Sequence, residues 1–216
     1  LEHASLSAKY TFLMQTNLTL MANFVTNRFM GAAGVYNGLL WDTNHGVAQP
    51  SAGYFTLKTD SKQKFSGKLY VGGNTLSFAG VLDVGGLGVA KEVKRKGKDS
   101  LWVTVQLALD GSDQVSGLVS STNWTATLAG DRAGFNLGQP ATAYAGTYTL
   151  ILSGTNAAGS PAGESYAVVM VGLDGKVKAS GGLAEGAGNK ALKLTSITTS
   201  LSADGAWPFY VPAYKG

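Results

Sequence analysis

No cysteine occurs in the 216 residues, so no disulfide staples the fold and no thiolate can act as nucleophile or metal ligand. Charge is also scarce. Asp, Glu, Lys and Arg make up 14% of the chain, against about 25% in an average globular domain. The polar surface must therefore come from Ser, Thr, Asn and Gln, a style common among extracellular β proteins. Only two histidines are present, His3 and His45, which leaves little material for acid–base or metal chemistry. No apolar run reaches the roughly twenty residues of a membrane-spanning helix. Residues 1–30 lack the basic start and clean apolar core of a signal peptide. Leu1-Glu2-His3 fits a cloning remnant.

Glycine is what the chain has in excess: 30 of 216 residues, about twice the usual ~7%. There is no Gly-X-Y period, which excludes a collagen helix. The glycines sit between short alternating runs, where turns, bulges and strand corners need positive φ or a missing side chain. A glycine–aromatic cadence occurs twice. Gly34-Val-Tyr36, Gly53-Tyr54-Phe55-Thr56-Leu57 and Phe65-Ser66-Gly67-Lys68-Leu69 are echoed by Gly146-Thr147-Tyr148-Thr149-Leu150, Tyr166-Ala167-Val168-Val169 and Ser180-Gly181-Gly182-Leu183. Gly34 and Tyr54 stand 112 positions from Gly146 and Tyr166, while Gly67 and Leu69 stand 114 from Gly181 and Leu183. Such a drift suggests a duplicated β-meander with a small loop insertion.

Alternation predicts strands at 35–41, 52–59, 64–71, 74–83, 87–95, 101–109, 114–120, 123–130, 132–137, 146–153, 164–171, 175–180, 190–197 and 206–213. It is clearest at Leu101–Leu109, where Leu101, Val103, Val105, Leu107 and Leu109 share one face and Trp102, Thr104, Gln106 and Ala108 the other. Gly72-Gly73 and Asp174-Gly175 read as type I′ hairpin turns. Phe65-Ser66-Gly67 and Phe78-Ala79-Gly80 repeat at thirteen residues and would lay an aromatic ring over a bare glycine on the neighbouring strand. Residues 9–30 read as strands near 8–14 and 17–25, with a short helix as competitor because Met14, Leu18, Met21, Val25 and Phe29 recur at helical spacing.

No segment suits a crossover helix, so the sheet should be antiparallel. The expected fold is all-β: an antiparallel meander closed or strongly curled into a β-barrel, built from two related halves, which hides strand edges. Residues 31–216 form one domain in this reading, with related parts at about 34–100 and 146–213, residues 101–130 as a bridge, and residues 1–30 as a separate N-terminal segment. Two small barrels are the alternative, although no Pro/Ser linker marks a boundary.

The catalytic search yields little. His45 lies in Asp42-Thr43-Asn44-His45-Gly46, with no nucleophile elbow nearby, and His45 with Asp42 does not make a closed metal site. Asp110-Gly111-Ser112-Asp113 is too short for an EF-hand and reads as a turn. Asp131-Arg132 invites ion pairing across strands. Glu164, Glu185 and Asp83 lie near strand ends, but no spacing singles out a glycosidase pair. The basic run Lys91–Lys98 lacks an interleaved aromatic platform, so it reads as a solvated hairpin end and not as a nucleic-acid site. No enzyme activity and no cofactor are expected. The best handles are rings: Trp41, Tyr54, Trp102 and Trp124 could each be exposed, and Trp41, Tyr54 and Trp124, with His45 beside the first, are the candidate binding residues. Exposed rings with neutral polar neighbours suit sugar stacking, and buried ones suit ordinary core packing.

Tyr36-Asn37-Gly38-Leu39, Gly53–Leu57, Phe65–Leu69, Trp124–Leu128 with Asp131-Arg132, and Trp207-Pro208-Phe209-Tyr210-Val211 with Tyr214-Lys215-Gly216 carry a resemblance. Over about residues 34–216 the chain resembles an uncharacterised Gly/aromatic-rich module of large secreted or surface proteins from Verrucomicrobia-like bacteria. That resemblance implies a secreted or cell-surface location and assigns no catalytic residue. The resulting expectation is a non-catalytic binding or structural module whose partner is a glycan or another surface protein. Its alternatives are a carrier with an apolar ligand inside the barrel and an outer-membrane barrel.

Overall fold

A computed structural model of the chain describes residues 26–90, 92–154, 163–184 and 192–211, with isolated positions before residue 20. The strands expected near 8–14 and 17–25 therefore lie outside the described residues, as does Lys91. Among the described residues, one helical turn, α1 (Phe29–Ala32), precedes fourteen strands. The first nine are β1 (Gly34–Trp41), β2 (Gly53–Thr59), β3 (Lys64–Val71), β4 (Asn74–Val81), β5 (Leu87–Val89), β6 (Val93–Arg95), β7 (Lys98–Leu107), β8 (Gln114–Ser120) and β9 (Thr125–Arg132). They form one antiparallel sheet in the order β4-β3-β2-β1-β9-β8-β7-β5, with β6 also on β7. The remaining strands, β10 (Gly146–Leu152), β11 (Ser165–Val171), β12 (Lys176–Leu183), β13 (Leu192–Thr195) and β14 (Thr199–Ser200), make a second antiparallel sheet, β10-β11-β12-β13, with β14 on β12.

The fold is thus all-β and antiparallel, and the first sheet curls into a nearly closed barrel. Its seam lies between β4 and β5, where Leu82 bridges Gly88. Gly80 and Gly88 permit this approach, since a Cβ on Gly80 would stand 2.8 Å from the Val89 carbonyl oxygen. The barrel closes within residues 34–132. Residues 101–130, expected as a bridge between halves, instead supply most of β7, β8 and β9.

The barrel is filled by its own side chains. Phe55, Leu69, Leu101, Val103, Val105 and Leu128 are fully buried, with Tyr36, Leu57, Phe65 and Phe78 around them. β7 alternates as expected: Leu101, Val103, Val105 and Leu107 point in and Trp102 is exposed. The paired phenylalanines also behave as expected. Gly67 opposes Phe78 and Phe65 opposes Gly80, and a Cβ on Gly67 would fall 2.6 Å from the Phe78 ring. The glycines lower the sheet surface and the rings fill it, which lets the strands coil.

The second sheet has a separate core of smaller residues: Ala141, Ala167, Val169, Val177, Ala179, Leu194 and Leu201. Phe135, Tyr144, Trp207, Phe209 and Val211, from the segments either side of the sheet, close over it.

Several sequence expectations shift. The 87–95 strand divides into β5 and β6, and the Ala90 amide between them bonds the Val103 carbonyl. Residues 133–137 and 206–211 form no strand. Pro208 cannot donate to a ladder, and this segment packs by its rings. Both Gly72 and Gly73 have positive φ, as a type I′ turn requires. At Asp174-Gly175 only the glycine does, so that turn is of another kind.

The first three strands of each sheet share their registers. Gly34 pairs Thr59 and Gly146 pairs Val171; Leu57 pairs Gly67 and Val169 pairs Ala179, each residue displaced by 112. Tyr36 donates its hydroxyl to the Ala32 carbonyl at 2.7 Å, and Tyr148 donates to Tyr144 at 2.7 Å, again 112 residues on. The 114 offset read from Gly67 and Gly181 is not kept: Gly181 pairs Ala167, so it occupies the station of Leu69, which pairs Phe55.

Candidate functional site

Alternation along four adjacent barrel strands defines an outward platform. β1 contributes Asn37, Leu39 and Trp41; β9 contributes Asp131 and Ala129; β8 contributes Gln114 and Ser116; β7 contributes Gln106 and, just beyond its end, Ala108. The registers align them in rows. Asn37 opposes Asp131, which opposes Gln114, and Leu39 opposes Ala129, which opposes Ser116, which opposes Gln106.

The chain's last described segment returns to this platform. Asn37 is buried and clamps it: the Ser200 amide donates to Asn37 Oδ1 at 2.7 Å, and Asn37 Nδ2 donates to the Ser200 carbonyl at 3.2 Å. The Gly134 amide adds a bond to Leu201 at 2.9 Å. These contacts bring Ala206, Trp207 and Pro208 over the outer barrel face. Between segment and platform lies an open groove of about 490 Å³, with Trp41, Trp207, Gln106, Gln114, Ser116 and Asp131 in its lining.

Among the described residues, Asp131 is the only ionisable one in that lining. Among the described residues there are two ion pairs, His45–Asp42 and Arg132–Asp113, and Asp131 belongs to neither. Partial burial pushes its carboxyl above the ordinary carboxylate value, and the neighbouring charge of Asp204 adds to this. The expected pairing of Asp131-Arg132 across strands is therefore met by Arg132 alone. Its guanidinium holds Asp113 at 2.8 Å and the Gly31 carbonyl at 2.6 Å, tying α1 to the barrel.

The residues singled out in the sequence part company here. Trp41 is half-buried in the groove. His45 is outside it: its ring is exposed and bonds Asp42 Oδ2 at 3.0 Å. Asp42 accepts the Asn44 amide and that histidine bond, which hold its carboxyl below the usual value. Tyr54 is 1% exposed. It lies against Tyr70 and stacks on Tyr210 at 6.3 Å between ring centres, so it joins the two regions and is no accessible binding ring. Trp124 packs partly buried against the barrel core and does not line the groove. Asp110 accepts the Ser112 amide at 3.0 Å, the turn bond expected of it. Arg95 opposes Lys98 across a tight turn at the tip of the basic hairpin.

Sequence reasoning missed Trp207, Asp131, Gln106 and Gln114 as site residues. Alternation put Gln106 on the wetter face of its strand, but Asp131 fell between two expected strands, and nothing local showed that residue 207 would roof them. A second, more open depression of about 620 Å³ lies on the outer face of β2–β4, beside Lys58, Lys68 and Tyr70. No protein-family model matches this chain, and no curated protein matches it.

Proposed function

We propose that the chain is a non-catalytic binding module whose groove takes a neutral glycan. One observation carries this reading: two indoles, Trp41 and Trp207, flank a platform of neutral hydrogen-bonding side chains and one unpaired carboxylate. Sugar rings offer apolar C–H faces that lie on indoles, and their hydroxyls both donate and accept. Gln106 and Gln114 can do both in return, and Asp131 accepts strongly. Among the described residues no lysine or arginine lines the groove, which gives an acidic polymer little to pair with. Glycoside hydrolysis ordinarily uses two carboxylates across the scissile bond, whereas this lining holds one.

The carrier reading gains no support, because the barrel axis is occupied by Phe55, Leu57, Phe65, Leu69, Phe78, Val103 and Val105, all buried. Tyr148, by contrast, lies in the second sheet and is half exposed. The outer-membrane reading gains none either. Outward positions on β2–β4 include Lys58, Ser66, Lys68 and Ser77, and the exposed apolar residues are scattered, with Val35 on β1, Val81 on β4, and Leu87, Val89, Trp102 and Leu118 on β5, β7 and β8. The shared registers support an origin by duplication, and the resemblance noted above supports a secreted or surface setting in a bacterium.

The test is a glycan array of the full chain, followed by calorimetric titration of the hits. Trp41→Ala and Trp207→Ala should each weaken binding by roughly 1–3 kcal/mol if ring stacking contributes as aromatic contacts do elsewhere. No binding to any neutral glycan, or binding indifferent to both substitutions, defeats the reading.

A further inference from the structure

The second sheet ends in a bare strand. β10 pairs β11 on one side, and among the described residues no strand lies on its other side. Every position of β10 is exposed or half-exposed, whereas β1 is buried at Tyr36, Asn37, Gly38 and Leu40. Folded proteins usually guard an open edge with charge, proline, a bulge or a cover. β10 reads Gly-Thr-Tyr-Thr-Leu-Ile-Leu, with neither charge nor proline. The margin strand at the opposite side of the sheet, β13, does carry a charge, Lys193.

β10 occupies the station of β1, as the common displacement of 112 shows. In the first region the meander β4-β3-β2-β1 does not stop at β1. A second four-strand meander, β9-β8-β7-β5, adds antiparallel to that edge and completes the barrel. In the second region the corresponding path β13-β12-β11-β10 stops there among the described residues.

We infer that β10 is a dimerisation edge, on which the β10 of a second copy of this chain pairs antiparallel. A twofold axis through Leu150 sets Tyr148 opposite Leu152 and Thr149 opposite Ile151. The pairing keeps Tyr148, Leu150 and Leu152 on one face, because residues two apart in a strand share a face. Joining two four-strand meanders gives a continuous eight-strand path, the number that runs from β4 to β5 in the barrel. The interface uses a self-complementary apolar strand, which is what an isologous contact requires. It involves no groove residue, so it stands or falls independently of glycan binding.

Sedimentation equilibrium of the full chain tests this. The unaltered protein should show a reversible monomer–dimer equilibrium. Thr149→Lys with Ile151→Lys, and separately Thr149→Glu with Ile151→Glu, place like charges opposite each other across the axis at positions that are exposed in the monomer. Each double variant should weaken the dimer by roughly tenfold or more, with an unchanged circular dichroism spectrum. Mixing the lysine and glutamate variants should restore a heterodimer. A protein that stays monomeric up to submillimolar concentration overturns the inference. So does a dimer indifferent to the charges, or a mixture that fails to re-associate.

Discussion

β1 and β10 start with the same Gly-x-Tyr, send the same tyrosine hydroxyl to the carbonyl four residues back, and hold the next strand in the same register. Yet Tyr36 is fully buried and Tyr148 is 49% exposed. Burial pushes the Tyr36 phenol up to about 12. What differs is the far side of the strand: β9 covers β1, and no described strand covers β10. Side-chain choice follows the same division. The barrel packs Phe55 and Leu57 where the second sheet has Ala167 and Val169. A closed barrel has an interior to fill, whereas the second sheet packs one face against loop segments and needs thinner residues. Local sequence therefore specifies the meander, and the neighbouring strands decide whether it becomes a core.

The largest expected effect sharpens that contrast. Phe55→Ala should cost about 3–5 kcal/mol, as for other buried phenylalanines. Leu194→Ala, in the smaller core, should fall at the low end of the roughly 2–5 kcal/mol range for leucine. Denaturant melts of each variant measure both, and equal losses would contradict the difference in packing.

Glycine replacement should separate the regions next. Gly67 and Ala179 occupy corresponding positions. A Cβ on Gly67 would overlap the Thr56 carbonyl and the Phe78 ring, so Gly67→Ala should lose about 1–3 kcal/mol by overpacking. Ala179→Gly should lose less, about 1 kcal/mol, mostly as backbone entropy and one buried methyl. A neutral Gly67→Ala would break the argument that a ring lies over this glycine.

The junction is tested by Asn37→Ala, which removes two buried hydrogen bonds to Ser200. It should cost about 1–3 kcal/mol, because the Ser200 main chain is left unpaired. It should also weaken glycan binding by loosening the Trp207 roof.

The smallest effect concerns pH. Asp131 has its folded pKa raised, so the folded state holds its proton to higher pH than the unfolded chain does. Stability is therefore lost as pH rises from the ordinary carboxylate range through the raised value. Asp131→Asn should flatten this slope and slightly stabilise the neutral-pH fold, while weakening binding. Melts between pH 3 and 7 would show the opposite slope if Asp131 were stabilised by a cation.

The sequence carried the strands well wherever a two-residue alternation was strong, as at Leu101–Leu107, and it carried the glycine–phenylalanine pairs because their spacing sets both face and register. It failed at residues 206–211, the described part of the strand expected at 206–213, where closely spaced aromatics mimic a strand but Pro208 prevents one. The groove was half legible. Trp41 stood out as a ring at a strand end, but its partner Trp207 arrives through a contact between Asn37 and Ser200, 163 residues apart. Tyr54 looked equally eligible, and only the returning Tyr210 shows why it is buried. Long-range closure of this kind leaves no periodic trace in a single chain.

The central claim is that the groove under Trp207 binds a neutral glycan, and the chain's four tryptophans supply the measurement. Each indole N–H gives its own resonance in a nitrogen–proton spectrum. On titration with a neutral oligosaccharide taken from the array, the Trp41 and Trp207 signals should shift together and saturate, while Trp102 and Trp124 stay in place. Shifts at Trp102 or Trp124 without Trp41 and Trp207, or no shift at any of the four, would contradict the account.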